Sequence, residues 1–183
     1  MSKIQNKPVC REAYVEKVRG AMHHRAQWLY LLLDEAKKRG ADWEEIARAA
    51  TSRCGCFQGA GLYEDWTDHT SLKSFAEVFA DEDFKKYFDM EIVESTESSL
   101  QIKFHHCPLV AGWQAIGCSD EEISKLCDIA MDGDRNIANS CHLDFTLGDT
   151  ISNGAPCCEL SFRPKEYREG ILWRQKNCQW QRY

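Results

Sequence analysis

The chain has 183 residues, 43% of them hydrophobic, which suits one domain with a sizeable core. Lysine and arginine number 23 against 29 aspartate and glutamate, a formal net charge of −6, so a chain-wide basic footprint for nucleic acid is absent. The longest apolar run, residues 28–33, falls far short of the ~18 residues of a membrane helix, and the N-terminus lacks the apolar stretch of a signal peptide; a cytoplasmic protein that binds neither nucleic acid nor membrane is expected.

In chain order, the first half reads as helical. From Tyr14 the apolar residues Val18, Ala21, Met22, Trp28, Leu29, Leu32, Leu33 and Ala36 recur by threes and fours, with a gap at Arg25, which predicts a long helix with one apolar stripe. Lys37, Lys38 and Arg39 suit the C-terminal end of its dipole, and Gly40 supplies a left-handed cap. Asp42 with Glu45 forms a capping-box pattern for a second helix carrying Ile46, Ala47 and Ala50. The glycines among residues 54–61 predict a loop. Residues 71–79 and 83–88 read as two short helices.

The period then changes. Residues 90–96 and 100–106 alternate apolar and polar, and Glu97-Ser98-Ser99 between them predicts a hairpin. Ser119 and Glu122 cap a helix whose apolar stripe is Ile123, Leu126, Cys127, Ala130, Ile137 and Ala138. Residues 143–150 and 157–163 predict a second hairpin, joined by a turn at 152–156. This is an α+β layout of one domain: N-terminal helices (1–88) on an antiparallel sheet of about four strands built as hairpin, helix, hairpin (89–164), with a polar and aromatic tail (165–183) that has no assigned element. No glycine-rich phosphate loop, dinucleotide fingerprint or paired CxxC is found, so no cofactor is expected, zinc being the alternative.

Ten cysteines in a chain of this length, with no secretory signal, read as free thiols rather than a disulfide scaffold. Three clusters can carry chemistry. The first is His105-His106-Cys107-Pro108, where a thiol at a strand end beside imidazole would have a lowered pKa. The second lies on the helix after Ser119: Asp128, Asp132 and Arg135 share one face, as an ion-paired surface or a binding face, while Asp134 falls in the register of the apolar stripe. A carboxyl there must be paired or else shift its pKa upward. The third is Cys157-Cys158, of which one faces inward and one outward on a strand. Cys158 on the same side as Cys107 and Cys127 would give a thiol-lined pocket or a three-thiolate zinc site.

These clusters carry a resemblance. Cys107-Pro108, then Cys127-Asp128 on the following helix, then the hairpin in which Gly154 and Phe162 flank Cys158 at four residues each, resemble the L-2-amino-thiazoline-4-carboxylic acid hydrolase family. His23, His24, Arg25 and Ala26 of the long helix resemble its N-terminal part. One departure is Asn139-Ser140-Cys141-His142, where an Asn-Pro step is expected. The last hairpin is also similar to the 4-vinyl reductase ligand-binding domain.

The resemblance implies hydrolysis of a C–N bond in a small cyclic amidine, and it supports roles for Cys107, Cys127, Asp128 and Cys158. The residues themselves suggest the other assignments: Cys107 at the reacting carbon as thiolate or metal ligand, and His105 or His106 as acid/base. Asp128 or Asp134 would hold the amidine, and Arg135 or Arg163 would clamp a carboxylate. Zinc, if bound, would sit on Cys107, Cys127 and Cys158. A small-molecule substrate is the expected partner, with self-association into a homo-oligomer left open. The competing expectation is a non-catalytic module that senses a small ligand or metal.

Overall fold

Helix starts follow the capping signals. In a computed structural model, which describes residues 2–165, the Asp42 side chain accepts from the Glu45 amide at the start of α2 (Trp43–Asp65), and Ser71 accepts from Ser74 at the start of α3 (Leu72–Phe79). Ser119 and Glu122 close a reciprocal capping box on α6 (Asp120–Ser140), satisfying amide donors that a helix start otherwise leaves orphaned. The remaining helices are α1 (Ala13–Lys38), α4 (Glu82–Phe88) and α5 (Pro108–Ala115). Pro108 does more than end a strand: it opens α5 at the helix position that needs no amide donor, and that helix was not foreseen. Among the described residues no helix is long and apolar enough to cross a membrane. The tail beyond residue 165 lies outside the described residues.

Four antiparallel strands, β1 (Met90–Ser95), β2 (Leu100–Phe104), β3 (Leu143–Leu147) and β4 (Cys158–Pro164), form one sheet in the order β1-β2-β4-β3. The expected α+β architecture is thus present, with helices packed on a four-stranded antiparallel sheet. Alternation sorts the sheet's faces: Leu100, Ile102 and Phe104 of β2 and Leu160 and Phe162 of β4 are buried, whereas Glu159 and Arg163 are exposed. Phe162 packs against Phe75 and Phe79 of α3, tying that helix to the sheet. Strands β2 and β3 end earlier than the alternation suggested. After β3 the chain turns through a short 3-10 helix, Ile151–Asn153, whose Ile151 amide donates to the Cys158 sulfur at 3.3 Å.

Two expectations are corrected. Residues 54–61 are helical, not a loop, and lie inside α2. Their glycines are there for proximity: a Cβ on Gly55 would lie 2.2 Å from the Gly133 carbonyl oxygen of α6, and one on Gly59 would lie 2.9 Å from Ile137 Cα. Gly55→Ala therefore pushes backbone against backbone. It is expected to destabilise the protein by roughly 3 kcal/mol, the upper end for overpacking, despite alanine's better helix propensity. Urea unfolding measures this, and an unchanged midpoint would mean that α2 and α6 do not approach this closely.

The stripe of α1 is also rotated from its expected face. Val15, Arg19, Ala26 and Leu33 are buried, while Ala21, Trp28 and Leu32 are exposed. The cause is Arg19, only 2% exposed, whose guanidinium all but fixes the helix face. Its N–H groups donate to the carbonyls of Tyr87, Cys10 and Lys86 and to the carboxylates of Glu16 and Asp89.

Candidate active site

Sheet register brings two thiols to one end of the molecule. Cys158 pairs with Phe104, the last residue of β2, and Cys107 lies just beyond Phe104 as the N-cap of α5. Cys127 reaches the same place from α6, so that its charge is felt by both Cys107 and Cys158. Cys107 and Cys158 thus lie at the same end of the sheet, with Cys127 near enough for its charge to bear on both. Each is desolvated, and burial pushes each thiol upward: Cys158 to about 12, with Cys107 and Cys127 also raised. Against burial act the Leu109 and Val110 amides on Cys107 and the Ser152 hydroxyl on Cys127. The lowered pKa expected of Cys107 is thus corrected: burial outweighs the helix N-terminus, and no imidazole faces the sulfur.

Asp134 completes the group. It projects from the apolar face of α6, one turn before Ile137, and its charge is felt by Cys127 and Cys158. Burial pushes its carboxyl up to about 6, its own amide and Arg135 opposing only in part. Both Asp134 and Cys107 keep some accessible surface although desolvation dominates their titration.

The other candidate residues lie elsewhere. His105 points outward and pairs with Glu91 at 2.9 Å. His106 is buried between the N-terminal segment and α1. Its Nδ1 meets the Asn6 carbonyl at 3.3 Å, and burial together with Arg19 lowers its pKa to about 4. Successive residues past a strand end turn to opposite sides, so His105 is held at Glu91 and His106 Nδ1 at Asn6, while the buried His106 Nε2 has no hydrogen-bond partner among the described residues.

Asp128 and Arg135 belong to an outer network. Arg48 of α2 reaches Asp128 at 2.6 Å and Asp132 at 3.0 Å, and Arg135 reaches the same two carboxylates at 3.0 and 2.6 Å. These contacts fasten α2 to α6, and Arg48 holds the Asp128 carboxyl below its ordinary range. Arg163 is exposed on the outer face of the sheet, opposite Asp144. For metal, among the described residues no three His, Cys, Asp or Glu side chains are grouped so as to hold an ion, Cys107, Cys127 and Cys158 included.

The sequence profile of the L-2-amino-thiazoline-4-carboxylic acid hydrolase family matches residues 20–162. The chain belongs to that family. Cys107, Cys127, Asp134 and Cys158 all lie within the matched residues. No curated protein sequence matches it. Among solved structures it is similar to a trafficking protein particle complex subunit 3 from Naegleria fowleri, in a crystal structure described as covalently bound to palmitic acid. The two are 15% identical with a TM-score of 0.53 over 80% of this chain and 96% of the other, a likeness of fold alone.

Two residues near the thiols had no signal in the sequence. Ser152 sat in an expected turn. Asn6, outside the family match, clamps the Cys107 peptide: its Nδ2 donates to the Cys107 carbonyl and its Oδ1 accepts from the Cys107 amide, both at 2.8 Å. A side-chain amide paired with a distant peptide in this way mimics a strand partner, and no spacing rule reveals it. The N-terminal segment is held down on either side of this clamp. Lys3's amide donates to Asp120, Ile4 is buried, and the amides of Val9 and Cys10 donate to Asp89.

Proposed function

We propose that this member of the family hydrolyses a small cyclic amidine at the end of the sheet where Cys107 and Cys158 lie, with Cys127 and Asp134 of α6. The observation that carries the reading is Asp134, a carboxyl on the apolar face of α6 with no side-chain hydrogen bond or ion pair among the described residues, whose charge bears on the thiols of Cys127 and Cys158. A protonated amidine supplies a positive charge there. In a desolvated place that charge favours the ionised forms of Asp134 and of the thiols together, so the nucleophile becomes reactive when substrate arrives.

Cys107 is the attacking sulfur, since α5 directs two amides toward it. The sulfur adds to the amidine carbon, the ring bond at that carbon breaks, and the thiol proton passes to the departing ring atom. Water then cleaves the carbon–sulfur link and restores the thiol. Asp134 holds the cation in register throughout. Neither histidine is needed.

The test is mass-spectrometric detection of ring-opened product from a panel of small cyclic amidines that includes the thiazoline acid. Cys107→Ser is expected to lower turnover by at least about 100-fold with an unchanged melting temperature. Equal turnover in that variant would remove Cys107 from the chemistry.

A binding-only module is favoured by one observation: in the resting protein every thiol of the cluster is held protonated. The structurally similar trafficking subunit, described as covalently bound to palmitic acid, supports the idea that this fold can seat a ligand. Amidine binding without any product would select that reading.

A further inference from the structure

A second apolar stripe on α1 has no cover among the described residues. Trp28, Leu31 and Leu32 are 65%, 51% and 55% exposed. Spaced by three and four, they lie on one side of the helix as a continuous patch, not as scattered side chains. The opposite side is where α1 meets the fold. Val15, Arg19, Ala26 and Leu33 are buried there, and the Trp113 indole N–H donates to the Ala26 carbonyl at 2.9 Å. A Cβ on Gly112 of α5 would lie 2.9 Å from the His23 Cα. The helix thus spends one face on its own core and leaves a tryptophan and two leucines in water.

We infer that this stripe is where two copies of the chain associate, α1 lying antiparallel to α1 across a two-fold axis. Charge at the two ends of the patch selects both the occupant and the direction. Arg25 stands one turn before Trp28 and Glu35 one turn after Leu32, both exposed on the same side of the helix. Positions 25, 28, 32 and 35 are symmetric about position 30. In an isologous antiparallel pair centred there, Arg25 of one copy meets Glu35 of the other and Trp28 meets Leu32, each contact occurring twice. Parallel helices would set Arg25 on Arg25 and Glu35 on Glu35, like charge on like. A partner of another kind would require no such symmetry.

The charged ends are available for this pairing. Among the described residues Arg25 has no ion-pair partner. Glu35 is held by Lys38 and Arg39 of its own last turn, exposed pairs of the kind that contribute little, so its carboxylate can be shared. One helix face is smaller than the surface of an obligate dimer, so the association is reversible and concentration-dependent. None of these residues belongs to the chemistry proposed above, and the inference stands or falls without it.

The experiment is sedimentation equilibrium of the full chain across the micromolar range, with melting temperatures to check that each exposed substitution leaves the fold intact. Monomer and dimer are expected together, and Trp28→Asp is expected to raise the dissociation constant about 30-fold or more, as for a central tryptophan hot spot. Arg25→Glu and Glu35→Arg should each raise it about tenfold, and the two together should return it to within about threefold of the parent. A chain that is monomeric throughout overturns the inference and leaves the stripe to residues 166–183 or to a different protein. A dimer that Trp28→Asp leaves unchanged overturns it as well. So does a double charge swap no better than the single ones, because the copies then do not meet in this register.

Discussion

Asp134→Asn is expected to make the protein more stable above pH 6 and to remove its activity. Burial raises the folded-state pKa of this carboxyl from 3.8 to about 6. Between those values the folded chain keeps a proton that the unfolded chain has lost. Stability therefore falls as pH rises through the window, and it stays lowered above it. A shift of that size corresponds to roughly 3 kcal/mol, and the side chain's residual exposure brings the expected effect nearer to about 2 kcal/mol. Asparagine has no charge to desolvate. The groups that also bear on Asp134 are Arg135 on its own helix and the thiols of Cys127 and Cys158, which stay protonated across this range. Urea melts should show the variant more stable at pH 7.5 and unchanged at pH 4, while amidine turnover falls by about 100-fold or more. A stability difference that does not vary with pH would mean the carboxyl is not held in a desolvated place. The trade is typical of active sites, where a group kept at a cost to folding is kept for what it does.

Arg19→Ala should produce the largest loss of stability of any single change considered. The guanidinium uses every N–H it has: Nε to the Tyr87 carbonyl, Nη1 to Cys10 and Glu16, and Nη2 to Lys86 and Asp89. Removing it leaves the Asp89 carboxylate, whose side chain is 9% exposed, with the Val9 and Cys10 amides but no counter-ion, and leaves three carbonyls without this donor. Breaking a buried pair by deleting one partner costs about 3–5 kcal/mol. Lysine should rescue only in part, since an ammonium offers three donors and cannot span the fork that arginine fills. Thermal unfolding decides the matter: a fall in Tm of only a degree or two in Arg19→Ala would show that this arginine is not the keystone of α1.

That same arginine explains why the first helix was misread from its sequence. A periodicity rule assigns the buried face to apolar residues, and here the centre of the buried face is a charge satisfied by backbone carbonyls that lie far along the chain. Trp28 and Leu32 fit the rule and are exposed; Arg19 violates it and is buried. Glycine misled in a comparable way. At Gly55 and Gly59 its role is to let two helix backbones meet, which no local pattern distinguishes from a turn. What was legible followed from local chemistry: the Asp42 and Ser119 caps, the strand alternation, and Asp134 standing in an apolar register. Alternation along β4 places Cys158 on the buried face beside the end of β2, where Cys107 follows. The histidines were chosen for adjacency to Cys107 in sequence. Adjacency past a strand end sends side chains apart, and only the sheet's pairing could show where they go.

The Asn6 clamp has a consequence for how the protein comes into being. Its two hydrogen bonds join residues 101 positions apart. Closing so long a loop is entropically slow compared with forming any of the helices, so the backbone that carries Cys107 acquires its final shape late. During synthesis the fourth strand's thiol emerges later still. The segment around Asn6 is thus expected to dock after the nearer-neighbour contacts of the helices have formed, and to fix the Cys107 peptide when it does.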